Sequence, residues 1–237
     1  DLKFHLMRLK FSLSELGIKK KLSNNQLEKI FLKLFDLNKI STGIIYLQIT
    51  RGIQNRDHAY KNNLKPTIII YTAKKKFNLP NKNFHGVKVV TFKDLRWARR
   101  DIKSTNLLAN ILAQKHANTK NAYTAILVKD NKITEGVHSN IWIIKNNIIY
   151  THPSNSNILK GVVRTVLKKI IGNLNIKLIE KSFTLKELYN ADEVFLTSTG
   201  SFVTPIIKID SKLINKAKIG NLSLKLATLY FKACSNE

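Results

Sequence analysis

Two-residue polar turns between short β-branched runs constrain the fold of this chain more than any other feature. One turn is Asp130-Asn131, a second is Asn146-Asn147, and a third hairpin-like stretch covers 206–213. Asn and Asp tolerate the left-handed backbone conformation that tight turns between antiparallel strands require. Since strand–helix–strand crossovers are few, the pattern predicts an α+β fold rather than a doubly wound parallel sheet.

Apolar residues at helical spacing predict the remaining elements. The helix over 106–116 has an apolar face made of Leu107, Leu108, Ile111 and Leu112. Asn25 is the expected cap of the second helix. The predicted helices cover 4–22, 25–34, 106–116, 161–171, 185–189 and 223–233. Besides the strands of the hairpins, strands are predicted over 44–50, 67–72, 87–92, 177–182 and 193–197.

A stretch rich in lysine and asparagine, 73–84, lacks any hydrophobic period and contains a proline. Such composition is typical of a linker. We therefore predict a small N-terminal domain over 1–78, a linker over 79–85 and a large domain over 86–237.

The formal net charge of +26 raises the question of nucleic-acid binding. Only seven of the 41 basic residues are arginine, the lysines are scattered, and the excess of lysine with asparagine and isoleucine is typical of an A+T-rich genome. We therefore expect no specific nucleic-acid partner. No apolar run approaches the ~20 residues of a membrane span, so we expect no membrane partner.

Cysteine and histidine usage excludes several kinds of site. Cys234 is the single cysteine, which rules out a disulfide framework and a cysteine-based metal cluster. The six histidines are scattered without metal-ligand spacing, so no metal site is predicted. Because no basic-then-apolar leader precedes the first helix, we expect a cytoplasmic protein.

Arg56 and His58 lie two residues apart in a polar loop after a strand. An arginine fork beside an imidazole suits the binding of a carboxylate, because arginine can donate two parallel hydrogen bonds to it. The alternative is an ordinary polar loop.

Lys103 lies between a strand and a helix, shortly after Arg99 and Arg100. Neighbouring cations disfavour an ammonium group and lower its pKa, which favours a lysine that forms an imine. The alternative is a surface lysine, one of 34 in the chain.

Three further segments have plausible chemistry. Glu135, in a turn between two strands, could keep a heterocyclic N–H protonated, or be a surface turn residue. The helix that begins after Gly161 presents free amides to an anion, or only to water. The hydroxyls and amides of 197–201 could complete a phosphate site, or form a plain turn.

Taken together and in order, these segments resemble the class IV, branched-chain-type pyridoxal-phosphate aminotransferases, with the D-amino-acid aminotransferases nearest among them. Six ordered matches over most of the chain are far more specific than any single one. The matching stretches are Ile49-Thr-Arg-Gly52 with Arg56-x-His58, Asp101-Ile-Lys-Ser-x-Asn-Leu107, Thr134-Glu-Gly136 with Ser139-Asn140, Tyr150-Thr-His-Pro153, Ile158-Leu-Lys-Gly161 with Arg164, and Thr197-Ser-Thr199.

The resemblance implies a role for each matching residue. Lys103 would be the catalytic lysine, joined to pyridoxal 5'-phosphate as a Schiff base, and Glu135 would pair with the ring nitrogen of that cofactor. The other cofactor-binding residues would be Arg8, Leu159, Val162, Val163, Ser198 and Thr199. The substrate would meet Tyr46, Arg56, His58 and His138.

The resemblance also implies fold-type IV architecture: a small N-terminal α/β domain and a larger domain whose hairpin-rich pseudo-barrel sheet is flanked by helices. It implies a homodimer in which Arg56 and His58 reach the partner's site, with amino acids and 2-oxo acids as substrates. The Arg-x-His pair favours D-amino acids. The alternatives are an aminodeoxychorismate lyase, a branched-chain L-amino-acid aminotransferase, and a basic polyanion-binding domain without catalysis. The family begins about forty residues earlier, so we expect the small domain to be truncated.

Overall fold

The computed structural model of the chain describes residues 1–19, 22–81 and 83–235, in which six α-helices and eleven β-strands alternate irregularly. One compact unit contains 6–77, and the other contains 1–5 with the chain from residue 78 onward. Lys82, in the predicted linker, lies outside the described residues. The helices are α1 (Leu2–Glu15), α2 (Asn24–Asn38), α3 (Leu108–Thr119), α4 (Val162–Asn173), α5 (Leu185–Tyr189) and α6 (Asn221–Ser235). The strands are β1 (Gly43–Thr50), β2 (Thr67–Lys74), β3 (Val87–Lys93), β4 (Thr124–Lys129), β5 (Lys132–Gly136), β6 (Asn140–Lys145), β7 (Ile148–Thr151), β8 (Leu178–Glu180), β9 (Glu193–Ser198), β10 (Phe202–Ile209) and β11 (Lys212–Leu213).

The smaller unit contains most of α1, all of α2 and the antiparallel pair β1–β2. Two of the predicted helix limits are wrong there. α1 ends at Glu15 because Gly17 adopts a left-handed conformation (φ 61°) that terminates helices, and Lys20 and Lys21 of the predicted helix lie outside the described residues. Ser23, not Asn25, caps α2: its hydroxyl accepts from the amide of Gln26, whose side chain accepts from the amide of Ser23.

A mixed sheet dominates the larger unit. Its strands run in the order β5-β4-β3-β10-β9-β6-β7-β8, with β11 paired to β10. β3 is parallel to both of its neighbours, and β7 is parallel to β8, whereas the other pairs are antiparallel.

The connection between β5 and β6 forces this sheet to curl. Only residues 137–139 join the two strands, although β4, β3, β10 and β9 lie between them in the sheet order. The amide of Gly136 donates to the carbonyl of Ser139 across this turn (2.7 Å). A connection this short is possible only if the sheet bends back on itself, as in a half barrel.

The predicted hairpins are confirmed. β4 and β5 pair through Asp130-Asn131, and β6 and β7 pair through Asn146-Asn147, with φ between 49° and 60° at all four residues. β10 and β11 form the third hairpin. These positive φ angles match the twist of paired strands, which explains why Asn and Asp occur there.

The face of α3 that packs inward is not the one that the sequence indicates. Ala113 and Ala117 are fully buried against β3 and β4. Leu107, Leu108, Ile111 and Leu112 are between 45% and 69% exposed, so the predicted apolar face is outside the core of the chain. Small alanines allow a closer approach of helix to sheet, and the leucines are left on the surface.

Hydrophobic clusters line both faces of the sheet. Ile126, Ile141 and Leu196 belong to the cluster enclosed by the curl, whereas Trp142 and Phe195 stack under α4 and α6 with ring centroids 5.5 Å apart. In the described part of the chain, no helix combines the length and the apolar character that crossing a bilayer requires.

Leu196→Ala should lower the free energy of unfolding by about 2–5 kcal/mol, because Leu196 is fully buried in the enclosed cluster and its truncation leaves a cavity. Leu213→Ala is the matched control at a 54% exposed position and should change stability by less than about 0.5 kcal/mol. Urea unfolding measures both. Equal effects of the two substitutions would contradict this packing.

Candidate active site

The short turn between β5 and β6 brings Glu135 and Asn140 together. A side chain at Gly136 would put its Cβ 2.3 Å from the hydroxyl oxygen of Ser139, so only glycine allows this turn. Asn140 donates from its amide nitrogen to a carboxylate oxygen of Glu135 (3.1 Å) and to the carbonyl of Leu159 (2.9 Å). The turn therefore links the end of β5 to the loop before α4.

Glu135 is a buried carboxyl group surrounded by donors. It accepts from Arg96, with which it forms an ion pair, from Asn140, and from the amide of Leu159 at 3.1 and 3.2 Å. Burial outweighs these donors and raises the pKa of Glu135 to about 7. A carboxyl group of this kind can hold or release a proton at neutral pH.

Lys103 is exposed, in the loop between β3 and α3, next to the buried Ile102. Arg100 joins this loop to the loop before α4: its amide donates to the carbonyl of Ser156 (3.0 Å), and its guanidinium donates to Asn157 (3.0 Å). The segments that carry Lys103 and the Leu159 amide are therefore held side by side.

Each of the two arginines expected to act on Lys103 by its charge also has a carboxylate partner. Arg99 forms an ion pair with Asp101 (2.9 Å), and this pair is partly exposed. The buried Arg100 lies 3.5 Å from Asp94. The sequence drew attention to this segment but not to Asp94 or Arg96, because a carboxylate and an arginine two residues apart look like any surface pair.

The beginning of α4 lacks a side-chain cap. Gly161 is the N-cap residue, and Val162 and Val163, which follow it, are buried. A Cβ at Gly161 would lie 2.1 Å from the side-chain oxygen of Asn140, so this position requires a glycine. The first amides of an uncapped helix, with the positive end of its dipole, favour an anion.

Ser198 is the last residue of β9, and Thr199 follows it. The pairing of Thr197 with Asn140 places this turn beside the beginning of β6. The hydroxyls of Ser198 and Ser201 lie 2.7 Å apart, and that of Thr199 lies 3.4 Å from His5. Hydroxyl groups thus lie on the strand next to the one that begins with Asn140.

Four of the predicted site residues lie in the smaller unit. Arg8 is half-buried on α1, and Arg56 and His58 are exposed in the irregular loop 51–66. Tyr46 on β1 donates to Gln48 (2.7 Å) and stacks on Tyr71 of β2 (4.9 Å between centroids).

The ends of loop 51–66 are fixed by the residues of the Ile-Thr-Arg-Gly stretch. The guanidinium of Arg51 lies 3.4 Å from the ring centroid of Tyr60 and donates to the carbonyls of Leu16 and Gly17. Gly52 has φ 122°, and a Cβ there would lie 2.4 Å from the carbonyl oxygen of Lys65. Arg56 and His58 are therefore carried by a loop with anchored ends.

His138 is in the turn between β5 and β6 and is exposed. Its ring lies edge-on to that of Tyr123, with centroids 6.4 Å apart. It is thus three residues from Glu135, on the solvent side of the same turn.

The donor set fits a phosphorylated heterocycle with an aldehyde. Uncapped amides and hydroxyls suit a phosphate, a buried carboxyl group suits a ring nitrogen, and a lysine suits an aldehyde. At Gly136 and Gly161 there is no room for a side chain, so the backbone passes close to Ser139 and Asn140, beside the polar groups of the site.

Comparison with known proteins agrees with this chemistry. A family model described as amino-transferase class IV matches residues 1–209. A D-alanine aminotransferase of Staphylococcus aureus (strain MSSA476) is 42% identical over 224 residues, which are 94% of this chain and 79% of that protein.

Solved structures share the fold. A branched-chain amino acid aminotransferase of Escherichia coli has a TM-score of 0.88 at 19% identity, covering 98% of this chain and 78% of that one. Another from T.th., complexed with N-(5'-phosphopyridoxyl)-L-glutamate, has a TM-score of 0.84 at 23% identity, covering 99% of this chain and 78% of that one. The predicted fold class is thereby confirmed.

The pKa of Glu135 predicts a pH dependence of stability. The folded protein holds the proton up to about pH 7, whereas an unfolded glutamate loses it near 4.5. The contribution of Glu135 to stability is therefore full below pH 4.5 and is lost as pH rises through 7. From pH 4.5 to 7.5 the native chain should lose about 3 kcal/mol relative to Glu135→Gln, which does not titrate.

Urea unfolding at several pH values measures this difference. Glu28→Gln, at an exposed position on α2, is the control and should follow the native chain throughout. A native-minus-Glu135→Gln difference that stays constant over this pH range would contradict the raised pKa.

Proposed function

The chain belongs to the class IV aminotransferases, and from that premise we propose that it moves an amino group between a D-amino acid and a 2-oxo acid. The family and the aminotransferase activity predicted from the six motifs are confirmed. The observation that carries the proposal is the buried carboxyl group of Glu135, held by donors beside the loop of Lys103. The Arg56-x-His58 pair and the D-alanine aminotransferase of S. aureus support D-amino acids as substrates.

Pyridoxal 5'-phosphate fits the donor set of the site, and when bound it supplies the electron sink for breaking the Cα–H bond of an amino acid. Lys103 would hold it covalently and, once displaced by the substrate amine, move the proton at the substrate's Cα. Solvent access at Lys103 is consistent with an amine that has to meet both the cofactor and the substrate.

Glu135 would keep a proton on the ring nitrogen. Its pKa of about 7 means that, near neutral pH, the carboxyl group itself carries a proton about half of the time. A basic nitrogen brought next to it can take that proton, which leaves the carboxylate paired with a cation. Arg96, Asn140 and the Leu159 amide then stabilise the resulting negative charge.

The phosphate would be bound by the amides of Val162 and Val163 and by Ser198 and Thr199. Leu159 would lie against the ring, since its amide already binds Glu135. On the substrate side, His138 would line the pocket.

Arg56 and His58 would bind the α-carboxylate of the substrate. A guanidinium fork and an imidazole both donate to carboxylate oxygens. Because the ends of their loop are anchored, the two side chains are held in position to do so. The position of this clamp relative to the phosphate anchor decides which Cα–H bond is broken and hence whether the D or the L isomer reacts.

We further propose that the chain acts as a homodimer, with Arg56 and His58 of the partner subunit in each site. The uncovered face of α3, formed by Leu107, Leu108, Ile111 and Leu112, supports contact with a second copy. Burying these four apolar side chains against a second copy would favour association in spite of the net charge of +26 on each chain.

Lys103→Ala should abolish turnover, with kcat at least about a hundredfold lower, because both covalent binding and proton transfer are lost. It should also lack the visible absorption of the native protein with pyridoxal 5'-phosphate and the adduct trapped by borohydride. Pyruvate formed from D-alanine and 2-oxoglutarate in a coupled assay, and a visible spectrum, are the measurements.

Lys186→Ala on α5 is the matched control and should keep both properties. A native chain that stays colourless with the cofactor would refute the proposal. Pyruvate released from aminodeoxychorismate without an oxo acid would indicate the lyase instead, and transfer from L-leucine but not D-alanine would indicate the branched-chain alternative.

Arg56→Ala should raise the KM for D-alanine by about 10- to 100-fold, since a charged hydrogen bond to the substrate is lost, and change kcat less. Lys61→Ala removes a cation from the same loop and should leave KM within about twofold.

If the clamp comes from the partner subunit, mixing the inactive Lys103→Ala chain with Arg56→Ala should restore activity at low D-alanine, because each hybrid dimer has one intact site. No gain on mixing, under conditions where subunits exchange, would contradict a shared site.

A further inference from the structure

Asp94, directly after β3, is a carboxylate at the centre of a buried group of charges. Its side chain is fully enclosed. It accepts from the guanidinium of Arg96 at 2.8 and 3.0 Å, from the amide of Arg96 at 3.1 Å, and from the hydroxyl of Thr134 at 2.7 Å. These donors lower the pKa of Asp94 in spite of its burial, so it is charged at neutral pH.

Arg96 joins Asp94 to Glu135. Two of its nitrogens, Nε and Nη2, bind Asp94, and the third, Nη1, binds Glu135. Because the guanidinium is planar and rigid, fixing two of its nitrogens also fixes the direction of the third. By accepting two hydrogen bonds from the Arg96 guanidinium, Asp94 therefore sets the position of the Glu135 carboxylate.

Arg100 extends the group to the loop of Lys103. It is 5% exposed, and its Nε lies 3.5 Å from Asp94, close enough for an ion pair but without a hydrogen bond in the described residues. Its other donors bind Asn157 and the carbonyl of Arg96. Asp94 thus attracts the arginine that fastens this loop, three residues before Lys103.

Once Glu135 has released its proton, the two carboxylates of this group balance its two arginines in charge. A buried set of charges is expensive to desolvate, and well-packed apolar residues of the same volume would often be at least as stable. A wholly structural role thus gives little reason for such a group, whereas positioning two reacting groups gives a specific one.

We propose that Asp94 is a positioning residue for the reaction: through Arg96 it orients Glu135, and through Arg100 it holds the segment that carries Lys103. The proposal rests on the proposed function, since it concerns the two groups that would flank the cofactor ring. Asp94 acts on both groups through the two arginines.

Asp94→Asn tests this, because it keeps the shape and the bond from Thr134 but removes the charge. At saturating pyridoxal 5'-phosphate, kcat should fall by about 10- to 100-fold, the range typical of groups that orient a functional side chain. The KM for D-alanine should change by less than about threefold, since Asp94 does not meet the substrate. The Kd of pyridoxal 5'-phosphate should rise, and the visible band of the bound cofactor should shift or weaken.

Asp192→Asn is the matched control, because it removes an aspartate from an exposed ion pair with Lys145. It should match the native chain in all four measurements. If Asp94→Asn folds and also matches the native chain, the proposal is overturned. If Asp94→Asn does not fold, Arg96→Lys replaces it: an ammonium keeps the charge but cannot span both carboxylates, and native kinetics and spectrum in that variant overturn the proposal.

Hydrogen–deuterium exchange without cofactor separates this inference from the proposed function. Asp94→Asn should exchange faster than Asp192→Asn in segments 95–107 and 154–161, and equally elsewhere. A native chain that stays colourless with pyridoxal 5'-phosphate refutes the proposed function. The exchange result still tests the role of Asp94 in that case. Unchanged exchange in both segments, or a uniform increase over the whole chain, overturns that role.

Discussion

The burial of Glu135 is the constraint on which the rest of the site depends. An isolated carboxylate in the interior is too costly to keep, so the chain has to bring donors to it from several elements. Arg96 comes from the segment after β3, Asn140 from the beginning of β6, and the Leu159 amide from the loop before α4. The donors that bind this one carboxyl group thus hold together the strands and loops that also carry Lys103 and the beginning of α4.

The curl of the sheet makes this assembly possible. Because only three residues join β5 to β6, these two strands come together although they are far apart in the sheet order. The polar groups of the site lie at their ends. The same curl encloses one hydrophobic cluster and leaves the other face for α3, α4 and α6. Fold and site therefore share one cause, because the turn that closes the half barrel is also the turn that presents Glu135.

Predictions from the sequence succeeded where structure is decided locally. The turns at Asp130-Asn131 and Asn146-Asn147 were predictable because positive φ angles select Asn and Asp. The end of α1 and the cap of α2 were predicted wrongly because several residues nearby can stop or cap a helix, and the sequence does not rank them. The outward face of α3 was predicted wrongly because hydrophobic spacing marks an apolar face without saying what covers it.

The sequence by itself determined the family, through six short motifs in a fixed order, and with it the choice of Lys103, Glu135 and the Arg56-x-His58 pair. Only the tertiary structure decided that Asp94, Arg96 and Arg100 belong with Glu135, since they come from a segment about forty residues away along the chain. The physical reason is that a motif records local backbone chemistry, whereas pairing of buried charges depends on which segments the folded sheet brings within a few ångströms of one another.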